Sequence, residues 1–146
     1  MYKRQVYLWA RKEFQNISKC YDCGIPVVKP RHVSKNILIM DFEGKDGKPE
    51  NTLLESEIDE NDYHQSIELI SDLFKKAKLV HGDFSEYNIF KTKNGLKLFD
   101  LGSAVDRTHP NTMNFLKRDI NNITNFFVKR GLTVENPADI LERITK

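Results

Sequence analysis

Three oxygen-bearing side chains at defined spacings are the residues of this sequence best suited to chemistry. Asp83 and Asn88 belong to a His-x-Asp-x-x-x-x-Asn pattern that begins at His81, and Asp100 opens an Asp-Leu-Gly triplet after the next apolar strand. Asn94-Gly95 predicts a hairpin between the two motifs, so the three side chains are expected to converge at one end of it. The pattern is typical of a phosphoryl-transfer loop followed by a metal-binding aspartate.

The chemistry of phosphoryl transfer explains these residue types. The reaction needs one carboxylate that orients the nucleophile and accepts its proton, and oxygen ligands that hold Mg²⁺ on the phosphates. Asp83 is predicted to be the catalytic carboxylate, and Asn88 and Asp100 the metal ligands. Because Mg²⁺ keeps several waters, one amide and one carboxylate suffice beside the phosphate oxygens of ATP. His81 is interpreted as structural, a loop histidine that braces the backbone.

Each of these residues alone would be interpreted as a turn residue. Aspartate and asparagine side chains hydrogen-bond to their own backbone and are common in turns for that reason. Here the aspartates and the asparagine occur together with apolar strands at residues 89–90 and 96–99. The combination favours the catalytic interpretation over turn chemistry.

Composition bounds the remaining possibilities. The 146 residues include 39% hydrophobic ones, which is enough for the core of one domain or part of one. The net charge is +2 and no basic stripe is interleaved with aromatics, so charge does not indicate direct nucleic-acid binding. Without a signal-peptide pattern or a membrane-spanning apolar run, a cytoplasmic location is expected. The lone Cys20-x-x-Cys23 pair lacks two further zinc ligands and is interpreted as incidental, reduced cysteines.

Apolar periodicity predicts the elements that position the motifs. In kinases, a glutamate on the helix before the fourth strand pairs with a lysine that grips the ATP phosphates, which is the functional interpretation of Glu13. The alternative is a solvated glutamate at the edge of the apolar stripe. In a kinase, Met40 and Phe42 would belong to a hinge whose backbone meets adenine, although Met40 could equally be core. The predicted helices cover residues 5–19, 59–77, 111–129 and 137–144, and a predicted hairpin joins strands at 31–33 and 37–40.

The region after Asp100 is too short for a long activation segment. Only nine residues separate it from Pro110, and a predicted helix follows directly. Gly82 also stands where the usual His-Arg-Asp pattern has arginine. A phosphorylated activation loop normally needs a cationic partner, so the loss of both features is self-consistent.

Five segments of the sequence, which include the two motifs above, together resemble the RIO family of atypical serine/threonine protein kinases. The resemblance is closest to the first RIO subgroup, in which the catalytic loop reads H-[GA]-D-L-S-E-Y-N. Ser103 departs from the glutamine that is common in that subgroup. The similarity spans nearly the whole chain and implies an α+β, protein-kinase-like fold: an N-lobe remnant and hinge at residues 1–42 and a mostly helical C-lobe at 43–146. The matching segments are residues 9–14 (WARKEF), 81–88 (HGDFSEYN), 100–105 (DLGSAV), 109–110 (HP) and 115–119 (FLKRD).

The resemblance also implies a function. RIO proteins have a trimmed kinase fold, bind ATP with Mg²⁺ or Mn²⁺, and act in maturation of the small ribosomal subunit. A protein substrate or the pre-ribosomal small subunit would then be the partner, without a membrane. By the same resemblance, Asp119 is expected to brace the backbone of the catalytic loop. The alternative for Asp119 is a surface partner of Lys117 or Arg118.

One departure from the family is large. A complete RIO kinase has a glycine-rich phosphate loop and a strand lysine before the helix of Glu13, whereas this chain begins almost at that helix. We therefore expect a truncated fragment, the C-terminal part of a kinase domain, whose activity alone is in doubt. Two alternatives stay open: a small-molecule phosphotransferase of the aminoglycoside or choline kinase type, which usually has a longer C-terminal half, and a non-catalytic kinase-lobe binding module.

Overall fold

The computed structural model describes residues 2–35, 37–41, 44–45 and 47–146, which form four α-helices and four antiparallel strand pairs. The helices are α1 (Tyr2–Asp22), α2 (Glu60–Lys75), α3 (Thr112–Lys129) and α4 (Pro137–Thr145). The strands are β1 (Pro30–Ser34), β2 (Ile37–Met40), β3 (Gly44–Lys45), β4 (Lys48–Pro49), β5 (Leu79–Val80), β6 (Ile89–Thr92), β7 (Gly95–Leu98) and β8 (Val105–Asp106). Two single 3₁₀ turns cover Leu53–Glu55 and Glu86–Asn88.

Helix α1 is longer than its apolar stripe predicts, by three residues at each end. It ends before Gly24, whose φ of +79° takes the left-handed conformation that closes many helices. Ile17 and Cys20 are buried on its inner face. The side-chain amide of Asn16 donates to the carbonyl oxygens of Leu101 (3.1 Å) and Ala104 (3.4 Å). These bonds attach α1 directly to the segment that follows Asp100.

Two strand pairs place the two sequence motifs side by side. Strand β5 leads into residues 81–88 and β6 leaves them, while β7 leads into residues 99–104 and β8 leaves those. Because β6 pairs with β7 and β5 pairs with β8, both antiparallel, the two connecting loops lie at the same end of the paired strands. We call them the Asp83 loop (residues 81–88) and the Asp100 loop (residues 99–104).

The core lies beneath these loops, between α2, α3 and the strand pairs. Helix α2 begins at a reciprocal cap in which Asp59 accepts from the backbone N–H of Asp62 and Asp62 accepts from that of Asp59, each at 3.0 Å. Helix α4 begins at Asn136, which accepts from the N–H of Ala138 at 2.9 Å. Helix α3 buries apolar side chains at a helical spacing of four, three and four residues: Leu116, Ile120, Ile123 and Phe127.

The predicted helices and the β1–β2 hairpin are confirmed, with ends that differ by up to three residues. Gly44–Lys45 and Lys48–Pro49 form the short antiparallel pair β3–β4. The division into residues 1–42 and 43–146 stays a prediction. No helix in the part of the chain described by the structure is long and apolar enough to cross a membrane.

Helix α1 and strand β2 expose large apolar side chains. Leu8 and Trp9 on α1 are 59% and 61% exposed, and Ile37 and Ile39 on β2 are 60% and 49% exposed. Exposed apolar residues of this size are typical of surfaces that another protein segment covers. We call these four residues the α1/β2 apolar surface.

We expect this surface to promote self-association. Sedimentation over a range of concentrations should show an average mass that rises with concentration, and Trp9→Gln/Ile37→Gln should shift the equilibrium toward the monomer. Met113→Gln/Val128→Gln removes two exposed apolar side chains of α3 and serves as the control. A mass that stays monomeric at every concentration would contradict the expectation.

Candidate active site

The Asp83 loop and the Asp100 loop are joined by hydrogen bonds through Asn88. The side-chain amide Nδ2 of Asn88 donates to the carbonyl oxygen of Asp83 at 2.6 Å, and the backbone N–H of Phe99 donates to the carbonyl oxygen of Asn88 at 3.0 Å. Asn88 is buried, whereas the side chains of Asp83 and Asp100 are exposed. The structure therefore bonds Asn88 to both loops, and Asp83 and Asp100 are exposed on them.

Asp119 holds the backbone of the Asp83 loop from below. Its Oδ2 accepts from the N–H of Gly82 at 2.9 Å and its Oδ1 accepts from the N–H of Phe84 at 3.2 Å. The residue is only 1% exposed, and burial raises the pKa of its carboxyl group, although the two N–H groups, His81 and Arg118 act in the opposite direction. One side chain thus supplies both acceptors that these two buried N–H groups need.

Loss of Asp119 is expected to destabilise the fold. Asp119→Ala leaves two buried N–H groups without their acceptors, which should lower the free energy of unfolding by about 2–5 kcal/mol. Asp119→Asn keeps one acceptor oxygen and should lower it by less. Urea denaturation of both variants measures the effect, with the exposed Asp22→Ala as control. A change of Asp119→Ala no larger than that of the control would show that solvent replaces the carboxylate.

His81 is buried at the start of the Asp83 loop. Its Nδ1 accepts from the N–H of Asp83 at 3.1 Å, and its ring meets the ring of Phe84 edge-on at 5.9 Å. Nε2 has no partner in normal hydrogen-bond geometry among the described residues. Burial lowers the pKa of His81 and outweighs the nearby carboxylates and the Asp100 carbonyl, which favour the charged ring. A neutral histidine can accept this bond from the loop backbone, and the structural role of His81 stays a prediction.

Glycine at position 82 suits the shape of the loop. Its φ is +83°, and a Cβ there would lie 3.2 Å from the carbonyl oxygen of Ser103 in the Asp100 loop. Arg118 of α3 donates from its guanidinium to the carbonyl oxygen of Gly82 and covers the ring of Phe115 at 5.0 Å. The position that usually carries arginine is thus a glycine, and a guanidinium reaches the same loop from α3.

Arg118 and Phe115 were missed as functional candidates in the sequence. The sequence suggested Arg118 only as a possible surface partner of Asp119. Phe115 was noted only as part of residues 115–119, which resemble the RIO family. The signal that could have identified Arg118 is the glycine in the His-x-Asp pattern, because a loop that lacks its own arginine leaves room for one from another element.

Asp100 and Glu13 face the same point of the Asp100 loop. Asp100 has a φ of +62°, and its Oδ1 accepts from the N–H of Gly102 at 3.4 Å. A Cβ on Gly102 would lie 3.6 Å from both Asp100 Oδ1 and Glu13 Oε2. Burial, and then the charge of Asp100, raise the pKa of Glu13. Glu13 is therefore placed beside the predicted metal aspartate, and its pairing with a lysine stays a prediction.

The oxygen atoms of the two predicted metal ligands, Asn88 and Asp100, suit a hard cation such as Mg²⁺ whose other ligands are phosphate and water oxygens. Because Nδ2 of Asn88 is used within the loop, its carbonyl oxygen Oδ1 is the atom that would be available to a metal, and the carboxylate of Asp100 is the other predicted ligand. The described residues contain no group of three or more His, Cys, Asp or Glu side chains that could hold a metal. Two protein oxygens suit Mg²⁺ completed by phosphate and water, and do not suit structural zinc.

The predicted hinge comprises Met40 and Phe42, and the sequence has two cysteines, Cys20 and Cys23. Met40 ends β2 opposite Pro30 and is partly buried, while Phe42 lies outside the described residues, so the hinge assignment stays a prediction. Both cysteines are free thiols. Burial raises the pKa of Cys20 to about 12, and the thiol of Cys23 donates to the carbonyl oxygen of Lys76 at 3.6 Å.

Comparison with solved structures confirms the kinase-like fold. The Rio2 kinase of Chaetomium thermophilum superposes with a TM-score of 0.77 at 25% sequence identity, over 96% of this chain and 46% of that one. A second structure of that kinase, described as an ADP/Mg²⁺-phosphoaspartate complex, gives a TM-score of 0.76 at 25% identity, over 96% of this chain and 45% of that one. The fold and the two loops thus define a protein of the protein-kinase-like class.

Sequence comparison identifies the family. The RIO domain family model matches residues 2–140, and the chain belongs to the RIO family. It is 38% identical over 141 residues to the RIO-type serine/threonine-protein kinase Rio1 of Thermoplasma acidophilum, covering 97% of this chain and 74% of that protein. It is 35% identical over 147 residues to the serine/threonine-protein kinase rio1 of Dictyostelium discoideum, covering 98% of this chain and 26% of that protein. Across the first three curated relatives, the chain spans 26% to 38% of their length.

Proposed function

We propose that this chain carries the catalytic loop and metal-binding loop of an ATP-dependent serine/threonine protein kinase or ATPase of the RIO type. The observation that carries the proposal is the Asn88 bond to the carbonyl of Asp83, because it fixes the predicted base and a predicted metal ligand to each other. The names of the relatives, which are serine/threonine-protein kinases, support the same activity.

Asp83 is the proposed catalytic base. Its backbone N–H is held by His81 and its carbonyl by Asn88, while its side chain is exposed at the surface. In this position the carboxylate accepts the proton of an attacking serine, threonine or water hydroxyl and orients that oxygen toward the phosphate. Asp119 keeps the carboxylate in place by holding the backbone on both sides of it.

Asn88 and Asp100 are the proposed ligands of Mg²⁺ or Mn²⁺. A bound cation of this kind neutralises phosphate charge as the phosphoryl group is transferred. The solved complex of the Rio2 kinase with ADP and Mg²⁺ supports nucleotide and magnesium use in a protein of the same fold. Glu13, Met40 and Phe42 are the proposed contributors to ATP binding, Glu13 through a lysine and the other two through hinge backbone.

The biological setting is proposed from the family resemblance. It is maturation of the small ribosomal subunit in the cytoplasm, with a protein substrate or the pre-ribosomal subunit as partner. A non-catalytic binding module is the second candidate. It is favoured by the α1/β2 apolar surface, whose exposed side chains are typical of a surface that another protein segment covers.

Nucleotide titration with a transfer assay tests these alternatives. Calorimetry of ATP with and without Mg²⁺, on this chain and on the full gene product, should show binding that depends on the metal. Labelled ATP should then transfer phosphate to serine or threonine of a mixed protein substrate such as casein. Metal-dependent binding without transfer or hydrolysis would indicate the binding module. Transfer to choline or an aminoglycoside would indicate a small-molecule phosphotransferase.

A further inference from the structure

Two open surface grooves meet at Asp83. One has a volume of about 500 Å³ and runs from Asp83 toward Phe115 and Arg118, and the other has a volume of about 520 Å³ and runs from Asp83 toward Tyr87 and Lys129. Both grooves include Asp83 and Asn122 in their walls. The two grooves are therefore adjacent and share the proposed catalytic base, and we call them together the path.

One stripe of α3 forms the floor of this path. Its residues recur every three or four positions, which places them on one helical face: Phe115, Arg118, Asn122, Asn125 and Lys129. All are exposed except Phe115, which is partly buried. The preceding residues Lys117 and Asn121 repeat the charge and the amide of this face, but line a different groove, against Pro137 and Leu141 of α4. We call the five residues that line the path the groove stripe. It is a different face of α3 from the buried apolar face that contains Leu116 and Ile120, and from the face that lies against α4.

The groove stripe carries the groups that recognise an extended acidic peptide. Arg118 uses part of its guanidinium on the Gly82 carbonyl and rests on Phe115, which fixes a planar group whose remaining donors suit a carboxylate or phosphate. The amides of Asn122 and Asn125 each offer a donor and an acceptor, as a peptide backbone requires. Lys129 supplies a second positive charge at the far end.

We propose that this stripe binds an extended segment of a protein substrate, with an acidic or phosphorylated residue against Arg118 and the phosphoacceptor at Asp83. The inference rests on the proposed function of Asp83. Since Arg118 contacts the residue next to Asp83 and an extended chain advances about 3.3–3.6 Å per residue, the acidic residue should lie about two or three positions from the acceptor. Arg118, Asn122 and Lys129 are thus specificity-determining residues.

The charges of the path favour a peptide over RNA. Asp83 and Glu86 lie in its walls between the basic residues of its two ends. A nucleic acid brings a negative charge with every nucleotide and would place some of them against these carboxylates. A peptide brings its acidic groups only where its sequence has them, and can leave the centre to a neutral serine or threonine.

Direct binding of defined peptides tests the proposal without nucleotide. The probes are fluorescein-labelled 11-residue peptides with one central serine and either Glu, Lys or Ala two and three positions before it or after it. Fluorescence anisotropy at low salt should show one Glu peptide binding at least about fivefold more tightly than its Ala counterpart, as expected for a bidentate arginine contact. The Lys peptides should bind most weakly. Equal affinity of the Glu and Lys peptides, or no measurable binding of any peptide, would overturn the proposal.

The chain offers matched controls one residue away. Arg118→Gln and Asn122→Ala should each weaken the Glu peptide about fivefold or more, while Lys117→Gln and Asn121→Ala should leave its affinity unchanged. Asn122 is exposed and does not make the bond to the Gly82 carbonyl that Arg118 makes, so Asn122→Ala serves as the second variant if Arg118→Gln disturbs folding. Equal losses in the test and control variants would indicate only general charge attraction, and contradict a built groove. Tighter binding of a 12-nucleotide single-stranded RNA, lost in Arg118→Gln, would identify the surface as a nucleic-acid site instead.

Phosphate transfer to the same peptides separates this proposal from the proposed function. Asp83→Ala should lower the rate of transfer by about 10²–10⁴-fold but keep the preference for binding the Glu peptide. If the Glu peptide binds through Arg118 and its serine is never phosphorylated by the full gene product, the groove stands and the kinase assignment fails. If phosphate is transferred equally to the Glu and Lys peptides, the kinase assignment stands and the groove is wrong.

Discussion

Asp83→Ala is expected to lower the rate of phosphoryl transfer by about 10²–10⁴-fold, the range assigned to a positioned general base. Nucleotide affinity in the presence of Mg²⁺ should change little, because this carboxylate acts on the nucleophile and not on bound ATP. The backbone groups of Asp83, and not its carboxylate, make the bonds to His81 and Asn88. Removal of the side chain should therefore leave the loop intact.

The measurement pairs steady-state phosphate release with calorimetric titration of the Mg²⁺-nucleotide complex. Asp22→Ala, which removes an exposed carboxylate at the end of α1, is the matched control and should keep both values. If Asp83→Ala loses both nucleotide binding and turnover, Asp83 is a metal ligand and not the catalytic base. Unchanged turnover would mean that this is not a kinase site.

The proximity of the two motifs was predictable because the sequence between them predicts a pair of antiparallel strands, and the pairing fixes which residues are neighbours. The apolar segments on either side of Asn94-Gly95 predict antiparallel strands, and antiparallel strands bring the residues before one and after the other to the same end. Ile89 and Leu98 do pair in this register. Asn88 and the Asp100 loop then follow as neighbours without any long-range information.

The β5–β8 pair was not predictable in the same way. Each strand has only two residues, Leu79–Val80 and Val105–Asp106, which is too short for an alternating pattern to be recognised. Its pairing is also long-range, because it joins residues 79–80 to residues 105–106. The position of Glu13 beside Asp100 is equally non-local, because it depends on how α1 is attached through Asn16.

The arrangement around Gly82 shows how one glycine changes what the rest of the loop requires. A side chain at this position would meet the carbonyl of Ser103, so the loop cannot carry its own arginine without moving the Asp100 loop. Arg118 and Asp119, adjacent on α3, instead hold opposite groups of the loop backbone, a carbonyl and two N–H groups. The Asp83 loop is therefore stabilised by α3, which also forms the floor of the adjoining grooves.

Asp100 is expected to control metal-dependent nucleotide binding. Because a direct ligand compensates phosphate charge, its removal should weaken the affinity for ATP in the presence of Mg²⁺ by about tenfold or more and lower turnover with it. The φ of +62° at this residue makes the choice of substitution important. Asn tolerates that conformation, whereas alanine adds backbone strain of about 1–2 kcal/mol. Asp100→Asn is thus the cleaner test of charge, with Asp100→Ala beside it.

The dependence of ATP affinity on Mg²⁺ distinguishes the loss of a metal ligand from a general loss of folded structure. Affinity for ATP should be titrated against Mg²⁺ from zero to tens of millimolar for Asp100→Asn, Asn88→Ala and the control Asp22→Ala. Asn88→Ala should raise the Mg²⁺ concentration needed for half-maximal affinity by less than Asp100→Asn does, because it removes a neutral ligand and not a charge. Without Mg²⁺, Asp100→Asn should bind ATP no more weakly than the unchanged chain, since a negative charge near the phosphates has been removed. If Asp100→Asn keeps the original Mg²⁺ response while Asp83→Ala loses it, the roles of the two aspartates are the reverse of those proposed.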